Sequence, residues 1–396
     1  MQVPAGVSDD SRAKRMQASE IDHSGDPLGA HEVVIPITRP DLPLLDEYVS
    51  LLQEIWDSRM LSNFGPFAQR LEGLAASTIG VPVTAVVSGD IGLVLTIRAL
   101  RLPAGSVAIV PSYTFNSTVN AVIWNNLVPQ FVDIDPVTYT LDPESVGRAL
   151  ATGPVALIVA THTFGNPADT DSLERLAHDR GARLIFDAAH AYGSHRGGVP
   201  VGQFGDAEVF SLSGTKVVTS AEGGLISSSD ERINAELQLL RGYGFYGDYR
   251  SVAIGLNGKM SELHAALGSL TLPRIEETVY QRMARLQRYW EQLEGCPVSY
   301  QLVRDQDRST YKDFVIRFPD AARRVAVEEA LRKVGVQTKR YFLPCHDMPA
   351  FANYPRGDLS GTVEAYDRSL CVPLFTSLKE DEIDMIARTI RTALGC

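Results

Sequence analysis

Cysteine is scarce: Cys296, Cys345, Cys371 and Cys396 are the only four in a chain of 396 residues. None belongs to a CxxC pair. A zinc ribbon or a thioredoxin-like redox motif therefore has no starting point, and the pattern reads as reduced thiols in a cytoplasmic protein. Positive charge is also in short supply. The chain has 48 Asp and Glu against 37 Lys and Arg, a formal net charge of −11. This argues against general attraction to nucleic acid or to an anionic membrane surface, but leaves room for one locally basic pocket. No apolar run reaches the length of a membrane span. Residues 1–34 lack the apolar segment of a signal peptide and read as a flexible extension. Several motifs are missing as well. No G-x-G-x-x-G follows an expected strand. The step Gly258-Lys259 has Ala253 where a P-loop needs glycine and Met260 where it needs a hydroxyl. His190 and His195 lie outside an HExxH frame with no cysteine to join them, so no metal site is expected.

What the chain does have is ordinary globular material, 44% hydrophobic and 21% charged. Helical spacing dominates residues 42–101, broken at Gly65-Pro66. Short apolar segments then alternate with helical ones: TAVV, AIVP, VPQFVDID, VALIVATHTFG and RLIFDAAH. None shows clean in-out alternation, as expected of strands buried on both faces of a mostly parallel sheet. After residue 260 the pattern changes to a long helix-rich stretch interrupted at Pro273. An α+β region follows, with YKDFVIRF as a strand and AVEEALRKVG as a helix. The expectation is a large α/β domain over 35–265 and a smaller C-terminal domain over 266–396.

Open parallel sheets bind ligands beyond the carboxyl ends of their strands, and the polar residues concentrate there. SGDIG (88–92) opens a helix whose amides could hold an anion. PSYTF (111–115) sets aromatics after a strand. FDAAH (186–190) ends a strand on Asp187, with His190 nearby. SLSGTK (211–216) carries a lysine among small side chains, where its charge is costly to bury. Pyridoxal 5′-phosphate uses all of these: a lysine amine for its aldehyde, an acid opposite its pyridine nitrogen, amides and hydroxyls for its phosphate, and an aromatic against its ring. Lys216, Asp187, Ser211 with the Gly89–Gly92 turn, and Phe115 or Tyr113 are the candidates.

SxSGTKxxTSxEGG, with FDAAHA upstream and RGYGFYG…GLNGKMSELHAALG downstream, resembles the DegT/DnrJ/EryC1/StrS family of sugar aminotransferases. PSYTFNSTVNAV, FGNPADTDSL and VPLFTSL fit as well, so the likeness runs from about residue 35 to the C-terminus. It implies an aspartate-aminotransferase-like fold of type I and a homodimer with shared sites. Lys216 would be the Schiff-base lysine and Asp187 the partner of the pyridine nitrogen. His190 would lie near the cofactor hydroxyl, Phe115 would stack on the ring and Ser211 would bind phosphate. Asn257 would reach the other subunit's phosphate. Tyr246, Lys259, Tyr341 and His346 would lie near the substrate. The implied reaction carries nitrogen from an amino acid, glutamate by default, to a nucleotide-linked keto-deoxysugar through pyridoxamine phosphate. An inosose as acceptor, or a catalytically silent regulatory protein, are the alternatives. Relatives with histidine for the lysine dehydrate instead of transferring nitrogen, and this chain keeps the lysine.

Asp90 departs from the family pattern, where threonine is common. A carboxylate about 5 Å from a phosphate charge would cost about 3 kcal/mol at an effective dielectric of about 20. The expectation is therefore that Asp90 caps its own helix, while the amides of Gly89, Ile91 and Gly92 face the anion.

Overall fold

The computed structural model describes residues 34–396. Two helices, α1 (Leu45–Ser58) and α2 (Pro66–Ile79), precede the sheet. The sheet then builds in sequence from β1 (Val83–Val86), α3 (Gly89–Ala99), β2 (Val107–Pro111), α4 (Asn116–Trp124), β3 (Val128–Val132), α5 (Pro143–Leu150), β4 (Leu157–Thr161), α6 (Thr170–Arg180) and β5 (Arg183–Asp187). A short ribbon, β6 (His195–Arg196) with β7 (Val199–Pro200), leads to β8 (Ala207–Ser211), β9 (Gly224–Ser227) and α7 (Glu231–Leu240). The seven strands are ordered β1-β9-β8-β5-β4-β2-β3. β9 pairs antiparallel with both of its neighbours, while the β8-β5-β4-β2-β3 run is parallel throughout. Six strands therefore point one way and only β9 runs against them.

The strands are buried on both faces because helices cover both. α3, α4 and α7 enclose one apolar core with Leu93, Leu95, Val119 and Leu237. α1, α2 and the later α8 (Glu262–Thr271) enclose a second, through Ile55, Leu71 and Ala265. Local chemistry sets the helix ends. Asp142 and Asp169 cap α5 and α6 through their carboxylates, and Gly181 ends α6 at φ 66°. Glu262 is a long-range cap: its carboxylate accepts from the amides of Phe67 and Ala68 at 2.8 and 3.1 Å, at the start of α2.

Pro273 ends α8 in a single 3₁₀ turn, and α9 (Ile275–Gln292) continues beyond it. A three-stranded antiparallel sheet follows, ordered β10 (Ser299–Tyr300), β11 (Phe314–Arg317), β12 (Ser369–Val372). It is covered by α10 (Ala321–Lys333) and α12 (Glu380–Leu394), with α11 (Ser360–Arg368) leading into β12.

The expected divide at residue 265 falls inside α8, whose Ala265 and Ala266 belong to a core of the large sheet. Contacts pass from one unit to the other along α9: Val279 packs with the large sheet, Leu286 and Tyr289 with the small one, and Met283 touches both. Ile35 bridges to Val336 and packs into the small core, so the chain enters on the small unit rather than the large. The extension expected over 1–34 lies, but for Val34, outside the described residues.

The expectation of four reduced thiols is corrected. Cys296 and Cys396 form a disulfide, because α12 runs back along α9 and returns the end of the chain to the residues just beyond α9. Their separation of 100 residues leaves no spacing signal in the sequence. Cys345 and Cys371 are free and buried, and burial pushes the Cys345 thiol up to about 12. Among the described residues no helix is long and apolar enough to cross a membrane.

Candidate active site

β1, β2, β4, β5 and β8 present their carboxyl ends to one cavity of about 400 Å³. Asp187, the last residue of β5, is buried on its wall. Its Oδ2 accepts from the Thr118 hydroxyl at 2.6 Å and its Oδ1 from the Ala189 amide at 3.1 Å. Burial pushes this carboxyl up. The two hydrogen bonds and the nearby Lys216 ammonium act against that, while Asp90 adds to it. Behind Asp187 lies a buried, satisfied pair. His162 accepts the Ala168 amide at Nδ1, so its Nε2 carries the proton and donates to Glu208 at 2.8 Å. The imidazole stacks on Phe186 at 4.8 Å.

Lys216 follows β8 in a turn closed by its own amide, which donates to the Ser213 carbonyl at 3.0 Å. Its amine is pushed down to about 8, first by burial and then by the charge of Lys312; Asp187, Asp313 and Asp90 resist the shift. A lowered lysine has a definite linkage sign. Between about 8 and its ordinary value the unfolded chain holds more proton at this residue, so its contribution to stability rises with pH across that window. Near neutral pH a useful fraction of the amine is uncharged and nucleophilic.

The glycines after Lys216 serve close approach. A Cβ on Gly224 would stand 2.7 Å from the Gly89 amide nitrogen, so only glycine lets β9 pass the start of α3. A Cβ on Gly89 would meet the Ser211 Cβ at 3.1 Å. The helix start and the end of β8 therefore converge on one spot.

Asp90 does not cap α3. The cap is Ser88, whose Oγ accepts from the Ile91 amide at 3.2 Å and whose carbonyl accepts from the Gly92 amide at 2.9 Å. Two of the three amides expected to face an anion, those of Ile91 and Gly92, are thus engaged. Those of Gly89 and Asp90 have no partner among the described residues. The Asp90 side chain lines the cavity instead, on its exposed side. The physical reason is register: Ser88 is the last extended residue, at φ −162° and ψ 162°, and Asp90 is already helical.

Of the other expected residues, Phe115 (58% exposed), His190, Ser211 and Tyr341 line the cavity. Tyr113, the alternative ring partner, is wholly buried, its hydroxyl donating to the Tyr341 carbonyl. His190 accepts the Phe164 amide at Nδ1, 3.3 Å, and burial together with Lys216 and Lys312 pushes it well below its ordinary value, so it is neutral. Asn257, Lys259 and Tyr246 lie away from the cavity of their own chain: Lys259 donates to Asn257 at 2.8 Å and sits 4.1 Å from the Tyr243 ring centre, and Tyr246 is 75% exposed. His346 does not line this cavity. It is a buried histidine bonded to Ser112 at 2.6 Å, and it faces a different cleft, beside Arg356 and Asp358.

Among the lining residues that the sequence did not single out are Ser117, His162, Lys312, Lys339 and Phe342. For Lys312 there was a signal, a Lys-Asp step directly before an apolar strand. Thr118, which holds Asp187, was legible only as part of a helix.

A phosphorylated pyridine fits these residues. Free amides at the start of an 11-residue helix and the Ser88 and Ser211 hydroxyls suit its anion. A buried carboxylate suits its ring nitrogen, and a depressed lysine its aldehyde. The Ser117 hydroxyl, buried on the wall with no partner, is a donor left for a ligand.

Comparison with known proteins places the chain. A family model described as the DegT/DnrJ/EryC1/StrS aminotransferase family matches residues 45–391. The dTDP-4-amino-4,6-dideoxy-D-glucose transaminase of Escherichia coli is 30% identical, with 91% of this chain and 99% of that protein covered. The GDP-perosamine synthase of Caulobacter vibrioides is 29% identical, with 86% and 94% covered. Among solved structures, DesI in the presence of its TDP-sugar product superposes with a TM-score of 0.86 at 34% identity, over 92% of this chain and 94% of that one. The fold is that of the type I, aspartate-aminotransferase-like enzymes. Matched along almost its whole described length, the chain belongs to the DegT/DnrJ/EryC1/StrS aminotransferase family.

Proposed function

We propose that this aminotransferase moves nitrogen from an amino acid, glutamate first among candidates, to the keto group of a nucleotide-linked keto-deoxysugar, using pyridoxal 5′-phosphate held in the cavity. The observation that carries the reading is that Lys216 and Asp187 line one cavity at the carboxyl edge of the sheet. Relatives named for dTDP-, GDP- and UDP-linked sugars support the substrate class.

When bound, the cofactor supplies an electron-poor ring that weakens the bond to the hydrogen beside the transferred nitrogen. Lys216, with an amine near 8, is suited to bond the cofactor's aldehyde and, once released, to take that proton and give it back as base and then acid. Asp187, held by Thr118 and Ala189, would keep a proton on the ring nitrogen. Neutral His190 would serve the ring hydroxyl, and Phe115 would offer a flat face. The Ser88 and Ser211 hydroxyls with the Gly89 and Asp90 amides would hold the phosphate.

A homodimer completes the site in this reading. Asn257, Lys259 and Tyr246 lie outside their own cavity, in a segment that exposes Tyr246, Tyr249 and Ile254. α1 and the loop after it expose Trp56, Met60 and Leu61. Such apolar surface suits a second copy. The large unit runs to about Met283 and the small unit from there, and the protein works in the cytoplasm.

The test is to load the full chain with pyridoxal phosphate, add glutamate, and follow the visible absorbance of the cofactor. The aminated form is then offered a panel of dTDP-, GDP- and UDP-linked keto sugars and of inososes, with products identified by mass. Bleaching followed by an aminated nucleotide sugar is expected. An aminated inosose alone would overturn the substrate class, and no bleaching with any amino acid would overturn the activity.

A further inference from the structure

An amino-acid donor brings a carboxylate into the cavity, and a keto sugar does not. One cavity has to serve both. No arginine lines it among the described residues, and its cations are Lys216, Lys312 and Lys339. Lys216 belongs to the cofactor. Lys339 is exposed. Lys312 is different: it is 4% exposed, yet it lines the cavity.

The chain holds Lys312 from two sides. Its amide donates to the Phe164 carbonyl at 2.9 Å, and its carbonyl accepts from the buried Arg282 guanidinium at 2.8 Å. Arg282 also binds the Tyr311 carbonyl, at 2.6 and 3.1 Å. Tyr311 itself adopts φ 46°, which turns the chain sharply just before Lys312. The Lys312 ammonium meets both oxygens of Asp313, at 2.9 and 3.1 Å. Asp313 is buried but does not line the cavity. Lys312 therefore lines the cavity while its ammonium is paired with a carboxylate that does not.

We propose that Lys312 anchors the α-carboxylate of the amino-acid donor, and that Asp313 keeps it paired when an uncharged sugar ring takes the donor's place. The proposal rests on the aminotransferase reading above. Its physical basis is the asymmetry of buried charge. An ammonium left alone in a desolvated cavity is heavily penalised, whereas one with a fixed acid behind it is tolerated in both half-reactions. A donor carboxylate then adds a second charge-assisted hydrogen bond to an ammonium that has protons to spare. Tyr341, whose ring centre is 5.5 Å from the Lys312 amine, walls the same side.

The test uses the cofactor-loaded full chain as wild type, Lys312→Gln and Lys312→Arg. Three probes are compared: L-glutamate; L-isoglutamine, which carries an amide in place of the α-carboxylate; and dTDP. Single-turnover loss of cofactor absorbance reports the two amino acids. Calorimetry reports dTDP and the unreactive dicarboxylate glutarate. Lys312→Gln is expected to weaken glutamate and glutarate about tenfold to a hundredfold. It should slow isoglutamine at least about tenfold less than glutamate, the shared part of the loss reflecting the Lys312 charge felt by Lys216, and leave dTDP within about twofold of wild type. Lys312→Arg, which keeps the charge, should retain the preference for glutamate over isoglutamine. Equal losses on glutamate and isoglutamine, wild-type handling of glutamate by the Gln variant, or loss of preference in the Arg variant would each overturn the proposal and leave the aminotransferase reading standing. A wild-type protein that bleaches with no amino acid would overturn that reading, and this proposal with it.

Discussion

The inner wall of the cavity and the segment Gly242–Gly258 are built on opposite principles. On the wall, side chains come from strand ends and their polar atoms are bonded to the fold: Asp187 to Thr118 and Ala189, His162 to Glu208 and Ala168. In the segment, aromatics face outward, with Tyr249 91% exposed, and they contact chiefly each other. The wall's hydrogen bonds to the fold hold its polar atoms in place. The segment offers exposed surface instead. In the proposed reading, chemistry falls to the first and selection or pairing with a second copy to the second.

Substitutions put that division to the test. Lys216→Ala should abolish transfer, a loss on the order of a thousandfold or more in turnover at saturating donor and acceptor. Asp187→Asn keeps the shape but cannot hold a proton on the ring nitrogen; a loss of about a hundredfold in single-turnover rate is expected. Thr118→Val removes one hydrogen bond to Asp187 and should cost about tenfold. Its pH profile carries the sign: the Thr118 bond holds the Asp187 carboxyl down, so its loss raises that group and shifts the acid limb of the rate profile to higher pH. An unshifted limb would mean that Thr118 does not act through Asp187. Tyr246→Ala should leave cofactor affinity unchanged and raise the KM for the sugar nucleotide severalfold. Weakened cofactor binding in that variant would erase the contrast between wall and segment. Asp90→Asn should tighten cofactor binding only about twofold to threefold in equilibrium titrations, because the opposing charge is exposed and screened.

Legibility in the sequence followed the same division. The strands of the large sheet were readable because burial on both faces writes continuous apolar runs. Asp187 and Ser211 were readable because they end such runs, and Lys216 because it stands among small residues in the turn just after one. The reversal of β9 was not, since a buried antiparallel strand has the composition of a parallel one. Asp90 was misread because capping depends on which residue is last extended, and Ser88 and Asp90 are equally good cap types. His346 and Tyr341, five residues apart, line different clefts because the chain turns between them, and no local spacing marks that turn. The helix-rich stretch after residue 260 was readable, but not that α9 packs into both cores, since a helix shared by two cores has the composition of any amphipathic helix. The Lys-Asp step marked Lys312 only as the flank of a strand, because the cavity it lines is built by distant parts of the chain.

Arg282 couples the two units in a way that could be measured. Its helix is seated against the large sheet near Val279 and against the small one near Leu286, and its guanidinium grips the loop that carries Lys312. A hinge movement between the halves would therefore travel through this grip and change the spacing of two ammonium groups, those of residues 312 and 216. The acidity of Lys216 would then serve as a gauge of opening and closing, readable by titration without any label.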